Sequence, residues 1–471
     1  MTYEKCENNI QHTREILENL GFTIHPQKSI LTPTQELIFL GFIINSKTMT
    51  LTITSEKKEK IYNQCLKLYI SSVNTIRDVA SVIGNLVAAM QAAPYGLMHY
   101  RYMEIDKIAA LKLNNGNFER KMTLSKEAKI ELKWWMDNIK NVSRSLIPIP
   151  IDCIIYTDAS KSGWGATDSH TSIGGPWSEQ EILTYEFIHE LELLAAKHAI
   201  VSIFKTKVFK HVKIMSDNTT AVAYINHMGG IKSPVCNQLA TELWEWAQRE
   251  KIWVSAAHVP GVDNKEADKK SRQFNLTAEW MITSKTFENI CKVFGRPDID
   301  LFATRLNKRI ERYVSWKPEP ECVAVDAFTL NWRDFDFIYC FPPFSIIRRV
   351  LAKIRNDKLE TALIVVPYWT TQSWFPTLTG MMCAIPRIIT ATKQHLILPG
   401  HPEVQHPLCP KLRLMITTIS GNISKVEDFQ KKLEAFYWPP GGKVLEGDTT
   451  TSLDNGNYFV VNGKKIHMLP L

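Results

Sequence analysis

Four acidic residues and one histidine in the middle of this 471-residue chain have types and surroundings that could do chemistry. Asp158 closes the apolar run "IIYTD", and Asp217 closes "VKIMSD". Both runs read as strands. Two strands of one sheet that finish in aspartate can bring both carboxylates to the same rim. Glu192 lies in the helical stretch "HELELLAAKHAIVSIF". Its i+3, i+4 and i+7 neighbours are Ala195, Ala196 and Ala199, so its face is small, apolar and suited to close packing on a sheet. Glu190 sits about 200° round the helix and is expected to face solvent. Asp268 stands in "HVPGVDNKEADKKSR", where Asp263 and Glu266 read as a capping box and Asp268 falls about one turn inside the helix. His258 follows the strand-like "IWVSAA".

Each acid alone also reads as a turn, a cap or a surface acid. Placed together they read as a cation site, because a buried carboxylate without a partner is costly and a cation offsets that cost. Hard oxygen ligands without cysteine suit magnesium or manganese. Two such ions about 4 Å apart form a clamp for in-line phosphodiester cleavage, one activating water and the other steadying the leaving oxygen. A histidine beside them can move a proton near neutral pH. Next to Asp158, the small Ala159 and Ser160 leave room for a phosphate backbone, and Gly163 and Gly165 are expected to allow a tight hairpin. Ser160, Lys161, Asn218 and Asn226 are candidate donors to that backbone, with turn and cap chemistry as the alternative.

The elements that must position these residues form an α/β unit over 151–275: three short strands, a helix, a strand, two helical stretches, a strand and a short helix. Before it, 1–55 reads as a helix stopped by Gly21 and then hairpin strands. The stretch 56–150 is helical, with Ile76, Val79, Ile83 and Val87 at core spacing in one helix and Trp134 and Trp135 in another. "SLIPIPID" is a proline-punctuated boundary. Residues 276–295 read as a helical linker within a second α/β region, 276–425, with strand-like "FIYCF", "ALIVVP" and "LRLMITTI". The remainder, 426–471, reads as a turn-rich, loosely ordered tail.

The formal net charge of +8 points mildly to an anionic partner, of which nucleic acid is the commonest. Nine cysteines are scattered with no CxxC pair, which leaves neither a zinc spacing nor a disulfide framework. No apolar run reaches the roughly 18 residues of a membrane helix, and "MTYEKCENNIQHTREILENLG" is too charged for a secretory signal. The expected location is cytoplasmic or nuclear, with no membrane partner.

"YTDAS" with its glycine-rich second strand, "LELLAAKHAI", "MSDNTTAVAYIN" and "HVPGVDNKEADKKSR" resemble, in order, the ribonuclease H domain of retroelement reverse transcriptases, and most of all DIRS-like and Ngaro-like retrotransposons that integrate by a tyrosine recombinase. The resemblance implies a mixed five-stranded sheet with flanking helices over 152–273. It implies two magnesium (or manganese) ions on Asp158, Glu192, Asp217 and Asp268, with His258 assisting product release or proton transfer. The implied substrate is the RNA strand of an RNA–DNA hybrid. Lys270 departs from the family's leucine without removing a ligand.

Upstream, "LGFTIHPQKSILTPTQELIFLGFII" resembles the end of a reverse transcriptase palm, with Lys28 at the motif lysine and Phe39, Leu40 and Gly41 at the primer-gripping hairpin. Residues 56–145 resemble its thumb and connection helices. No YxDD-type box is present, so DNA polymerisation is not expected of this chain, which reads as a truncated polyprotein whose remainder and recombinase are the expected partners.

Downstream, "DIDLFATRLNKR", "VDAFTLNW" and "IYCFPPFSII" resemble the methyltransferase-like region of the same elements, implying a degenerate Rossmann-like fold. Its working box needs a polar residue before Pro-Pro-aromatic, and here Phe341 precedes Pro342, Pro343 and Phe344. Phenylalanine cannot accept the target amino group, so S-adenosylmethionine is not an expected cofactor. Asp300 and Asp326 read either as relics of cofactor contacts or as plain strand-end acids. Two alternatives to cleavage stay open: a binding module that holds nucleic acid without cutting it, and an adenine methyltransferase.

Overall fold

The computed structural model describes residues 2–274, 279–435 and 458–471. It divides into two compact units, one of Met1–Asp152 with Thr219–Ala256 and one of Cys153–Asn218 with Ala257–Leu471.

The first unit opens with helix α1, Tyr3–Asn19. It stops where expected: Gly21 takes a positive φ of 84°, and the Phe22 N–H donates back to the Leu17 carbonyl. Strands β1 (Glu36–Phe39), β2 (Phe42–Asn45), β3 (Thr50–Ile53) and β4 (Ser143–Ser145) form an antiparallel sheet in that order. Leu40 and Gly41 join β1 to β2 with φ of 49° and 78°, the two positive values a primed two-residue hairpin turn needs. Helices α2 (Ser55–Ile70), α3 (Ile76–Ala89), α4 (Arg101–Leu113) and α5 (Lys126–Asn138) share a core around Ile61, Val79, Leu86, Leu132 and Trp135. Val87 is exposed, and Val82 and Leu86 complete the buried stripe of α3 in its place. Helices α6 (Thr219–Asn226) and α7 (Pro234–Arg249) close this unit, with the Trp244 indole donating to the Ile225 carbonyl.

The second unit contains β5 (Cys153–Ala159), β6 (Gly163–Thr167), β7 (Ser172–Pro176), α8 (Glu179–Thr184), α9 (Ile188–Phe204) and β8 (His211–Ser216). With β9 (Trp253–His258), whose last two residues belong to this unit, the strand order is β9-β8-β5-β6-β7. Strands β5, β6 and β7 are antiparallel neighbours and β8 runs parallel to β5, so the sheet is mixed and five-stranded as expected.

Helix α10, Lys265–Arg272, lies directly on β6 and β7. Gly163 and Gly165 lie in β6, the glycine-rich second strand of the hairpin with β5. Their reason is close approach: a methyl group on Gly165 would lie 2.2 Å from the Ala267 carbonyl and 2.5 Å from the Ser271 nitrogen.

The C-terminal part builds a six-stranded sheet from β10 (Ile299–Asp300), β11 (Ile338–Cys340), β12 (Ala362–Pro367), β13 (Arg387–Thr390), β14 (Arg413–Ile419) and β17 (Leu469–Pro470), ordered β10-β11-β12-β14-β13-β17. Strands β10, β11 and β12 make a parallel run, β14 is antiparallel to both β12 and β13, and β17 pairs in parallel with β13. Helix α11, Ser284–Phe294, is no linker, since Phe287 and Ile290 are buried in the core against β12 and β14 residues. Helix α12, Ile347–Asn356, buries Ile347, Val350, Leu351 and Ile354 on the other face. The expected loose tail is corrected as well. After helix α13 (Ile423–Lys431), strands β15 (Tyr458–Val461) and β16 (Lys464–His467) form a hairpin that buries Phe459, Val461 and Ile466. The chain end then pairs with β13. The turn-rich 436–457 lies outside the described residues.

Gly165→Ala is expected to destabilise the chain by about 1–3 kcal/mol through overpacking against the α10 backbone. Gly175→Ala, whose added methyl would meet only the Trp164 indole nitrogen at 3.8 Å, is expected to change stability by roughly 0.5 kcal/mol or less. Urea unfolding of the two variants checks the contrast.

Candidate metal-binding site

Strands β5 and β8 pair in parallel from Val212 beside Cys153 to Met215 beside Tyr156. Continuing that register sets Asp217 beside Asp158, at the shared rim anticipated from the two apolar runs. Helix α9 brings the third acid. Ala195, Ala196 and Ala199 are fully buried, so α9 lies close to the sheet and Glu192 enters the core with only 4% of its surface exposed. One carboxylate oxygen each from Asp158, Glu192 and Asp217 falls within 4.8 Å of the others.

These acids are held by backbone and hydroxyl donors, with few counter-charges. Glu192 accepts from the Ala159 N–H at 3.1 Å and lies 3.5 Å from the Ser216 hydroxyl. Burial first, and then the Asp158 and Asp217 charges, push the Glu192 carboxyl up to about 8. Asp158 is 5% exposed and accepts from the Ser271 hydroxyl at 2.6 Å. Its carboxyl is raised too, by burial and by the Asp268 and Asp217 charges, against the opposing Ser271 bond. Asp217 is not buried, and the loop carrying Gly261 passes beside its Oδ2.

Asp268 lies close enough to raise Asp158, yet its carboxylate is engaged by Arg272 at 2.7 Å and stays outside the cluster of three. His258 ends β9 and is exposed. The following Val259 N–H donates to the Ser216 carbonyl, which sets His258 at the rim that carries Asp217.

Several positions read from the sequence do other work. Glu190 is buried rather than solvent-facing, because its carboxylate accepts from the Glu186 and Phe187 N–H groups at the start of α9. Asp263 and Glu266 form no capping box: α10 starts after Asn264, whose side chain donates to the Thr157 carbonyl at 2.8 Å. The Ser160 hydroxyl is committed inside, donating to the Ser271 carbonyl at 2.6 Å and accepting from the Ser162 and Gly163 N–H groups. Asn226 exchanges two bonds with Ala256. Lys161 is exposed in the β5–β6 turn, and Asn218 begins the segment after Asp217. Lys28 is exposed on a short turn, and Ile38, Phe39 and Leu40 are exposed at the tip of the β1–β2 hairpin.

Ser271 and Asn264 were missed. Both anchor the α10 segment to β5, and their signal was faint: Ser271 lies three residues beyond Asp268, and the Asn264 contact is long-range.

In the C-terminal domain, Phe341 follows β11 and packs with Phe344 against the apolar core, the Phe344 ring lying 5.3 Å from Trp369. Pro342 is buried between them and Pro343 is exposed. Asp300 is buried at the end of β10, accepting from the Phe302 and Arg309 N–H groups, and burial pushes it up to about 7. Asp326 is an exposed cap on the Phe328 N–H.

No protein-family model and no curated protein matches the sequence. Among solved structures, the chain is similar to the foamy viral protease-reverse transcriptase in complex with double-stranded DNA, at 15% identity over 55% of this chain and 43% of that one, with a TM-score of 0.26. The same viral protein in complex with an RNA/DNA hybrid gives 15% identity, 60% and 37% coverage and a TM-score of 0.25. Ribonuclease H1 of Halobacterium salinarum NRC-1 gives 16% identity over 25% of this chain and 92% of that one, with a TM-score of 0.21. The neighbours are reverse transcriptase and ribonuclease H proteins. This chain spans less than half the length of the foamy viral ones.

The raised Glu192 carboxyl sets a pH dependence. Without metal, native Glu192 keeps its proton up to about 8, whereas the unfolded chain releases it near the ordinary glutamate value of 4.5, so stability falls as pH rises between those values. Each pKa unit of difference is worth about 1.4 kcal/mol at most. Thermal unfolding in chelator from pH 5 to pH 8 is expected to show a falling midpoint that is flattened in Glu192→Gln.

Proposed function

We propose that this chain is an endoribonuclease of the ribonuclease H type that hydrolyses the RNA strand of an RNA–DNA hybrid. The observation that carries this reading is the convergence of Asp158, Glu192 and Asp217, two of them buried, from two strands and one helix at a single rim. Their fit to a hard divalent cation is chemical: all donors are carboxylate oxygens, and burial with mutual repulsion raises two of them until a cation offsets the charge. Asp158, Glu192 and Asp217 would hold magnesium or manganese, with Asp268 as the fourth ligand of a two-ion set. Such ions supply an activated water and stabilise the leaving oxygen.

The chain's own groups divide the remaining tasks. The Ser271 hydroxyl and the Ala159 N–H orient Asp158 and Glu192. His258, exposed at the rim, would carry the proton transfer. Lys161 and Asn218, on the turn and strand end beside the acids, meet the duplex backbone. Hybrids are recognised by backbone, shape and 2′-hydroxyl groups, which suits donors on a rim better than a deep pocket. In the first unit, Lys28, Leu40 and Gly41 on exposed turns would hold the duplex without polymerising it. We place the chain within a DIRS-like or Ngaro-like retrotransposon polyprotein, acting in the cytoplasm or nucleus, with S-adenosylmethionine not required. Among the described residues no helix is long and apolar enough to cross a membrane.

Binding without cleavage is the second reading, favoured by the pairing of Asp268 with Arg272 outside the cluster. Asp217→Asn separates the two. On a labelled RNA–DNA hybrid with magnesium, it is expected to lower cleavage by on the order of 10³-fold, the several kcal/mol of a lost metal ligand, while hybrid retention persists. Unchanged cutting in Asp217→Asn sinks the nuclease reading. A wild-type chain that retains hybrid but yields no product across a magnesium and manganese titration establishes the binding one.

A further inference from the structure

Strand β7 is the outer strand of the five-stranded sheet. The Trp177 N–H donates to the Ser162 carbonyl across the pairing with β6. Antiparallel alternation therefore turns Ile173 and Gly175 toward β6 and points the carbonyls of Gly174 and Pro176 away from it. Outward carbonyls on an edge are a template for another strand. Pro176 is one guard, since it has no N–H to offer.

The C-terminal domain occupies the two outward acceptors. Arg305 donates through Nη2 to the Pro176 carbonyl at 2.8 Å, and Lys317 Nζ lies 3.4 Å from the Gly174 carbonyl. Arg305 is buried and donates through Nη1 to Glu181 of α8 at 2.7 Å. The other Glu181 oxygen lies 2.8 Å from His198 Nε2 on α9. Burial raises the Glu181 carboxyl, but His198 and Arg305 outweigh it and hold it well below the usual carboxylate range. Arg305 is itself fixed, its backbone N–H donating to Glu319 at 2.7 Å. A further cation crosses the contact in the other direction: Lys205, next to the end of α9, donates to the Cys322 carbonyl at 2.7 Å. The side chains of Arg305, Lys317 and Lys205 each set a charged donor on an oxygen, the stronger class of hydrogen bond.

We propose that the C-terminal α/β domain is an edge cap for the five-stranded sheet of its own chain, and that the surface covered by Arg305 and Lys317 fits the β7 edge of a second copy. This role is independent of whether the carboxylate site cuts.

The test uses the full chain carrying Arg305→Ala with Lys317→Met, read by hydrogen exchange over Ser172–Trp177 and by sedimentation velocity. Amide exchange at Ile173, Gly175 and Trp177 is expected to accelerate about tenfold or more, with β5 and β8 unchanged, as a local opening requires. A concentration-dependent dimer is expected alongside. Unchanged exchange in β7 overturns the cap. Faster exchange in a chain that stays monomeric keeps the cap and overturns the fit to a second copy. If the double variant unfolds throughout, Lys317→Met alone, which leaves the buried Arg305–Glu181 pair intact, is read by the same exchange criterion. Arg355→Ala, on the exposed face of α12, is the control and is expected to change neither readout.

Discussion

The second unit is organised around an electrostatic problem: two carboxylates, Asp158 and Glu192, are buried within reach of each other and of a third, Asp217. Like charges in a low-dielectric site oppose their own ionisation. The fold brings them together because their positions are set by elements with other reasons to exist. The parallel register of β5 and β8 aligns the two aspartates, and the alanine face of α9 lets Glu192 approach the sheet. Packing of apolar surface thus outweighs repulsion that the acids alone would not tolerate. What remains is a cluster of three carboxylates, two of them raised, that could hold a cation.

Helix α10 depends on the same arrangement. It lies on a strip of β6 and β7 made shallow by Gly165 and Gly174, and Ser271 and Asn264 tie it to β5. The hydroxyl that steadies Asp158 therefore belongs to the helix that carries Asp268. Side-chain volume on two strands and the orientation of a carboxylate are linked through one piece of backbone. This accounts for glycines in strand interiors, where their conformational freedom is otherwise a cost.

Much of this was legible residue by residue. The strand-end aspartates, the alanine face of Glu192 and the order of strands and helices follow from periodicities that operate over a few residues. The misreadings have two causes, one local and one long-range. Glu190 is buried because backbone N–H groups at a helix start need acceptors, and Ser160 is committed because the Ser271 carbonyl comes to it from 111 positions away. The chain end was read as a tail from its turn-rich composition, yet Phe459, Val461 and Ile466 find a core that distant strands supply.

By itself, the sequence determined which residue types stand at strand ends and helix faces, because alternation and the 3.6-residue repeat are local. Tertiary structure alone decided which acids share a rim, which hydroxyls are already engaged, and that Arg305 and Lys317 meet the β7 edge. Those outcomes depend on through-space distances between segments far apart in the chain. No local period encodes such distances; they are set only when the apolar surfaces of all the elements are buried together.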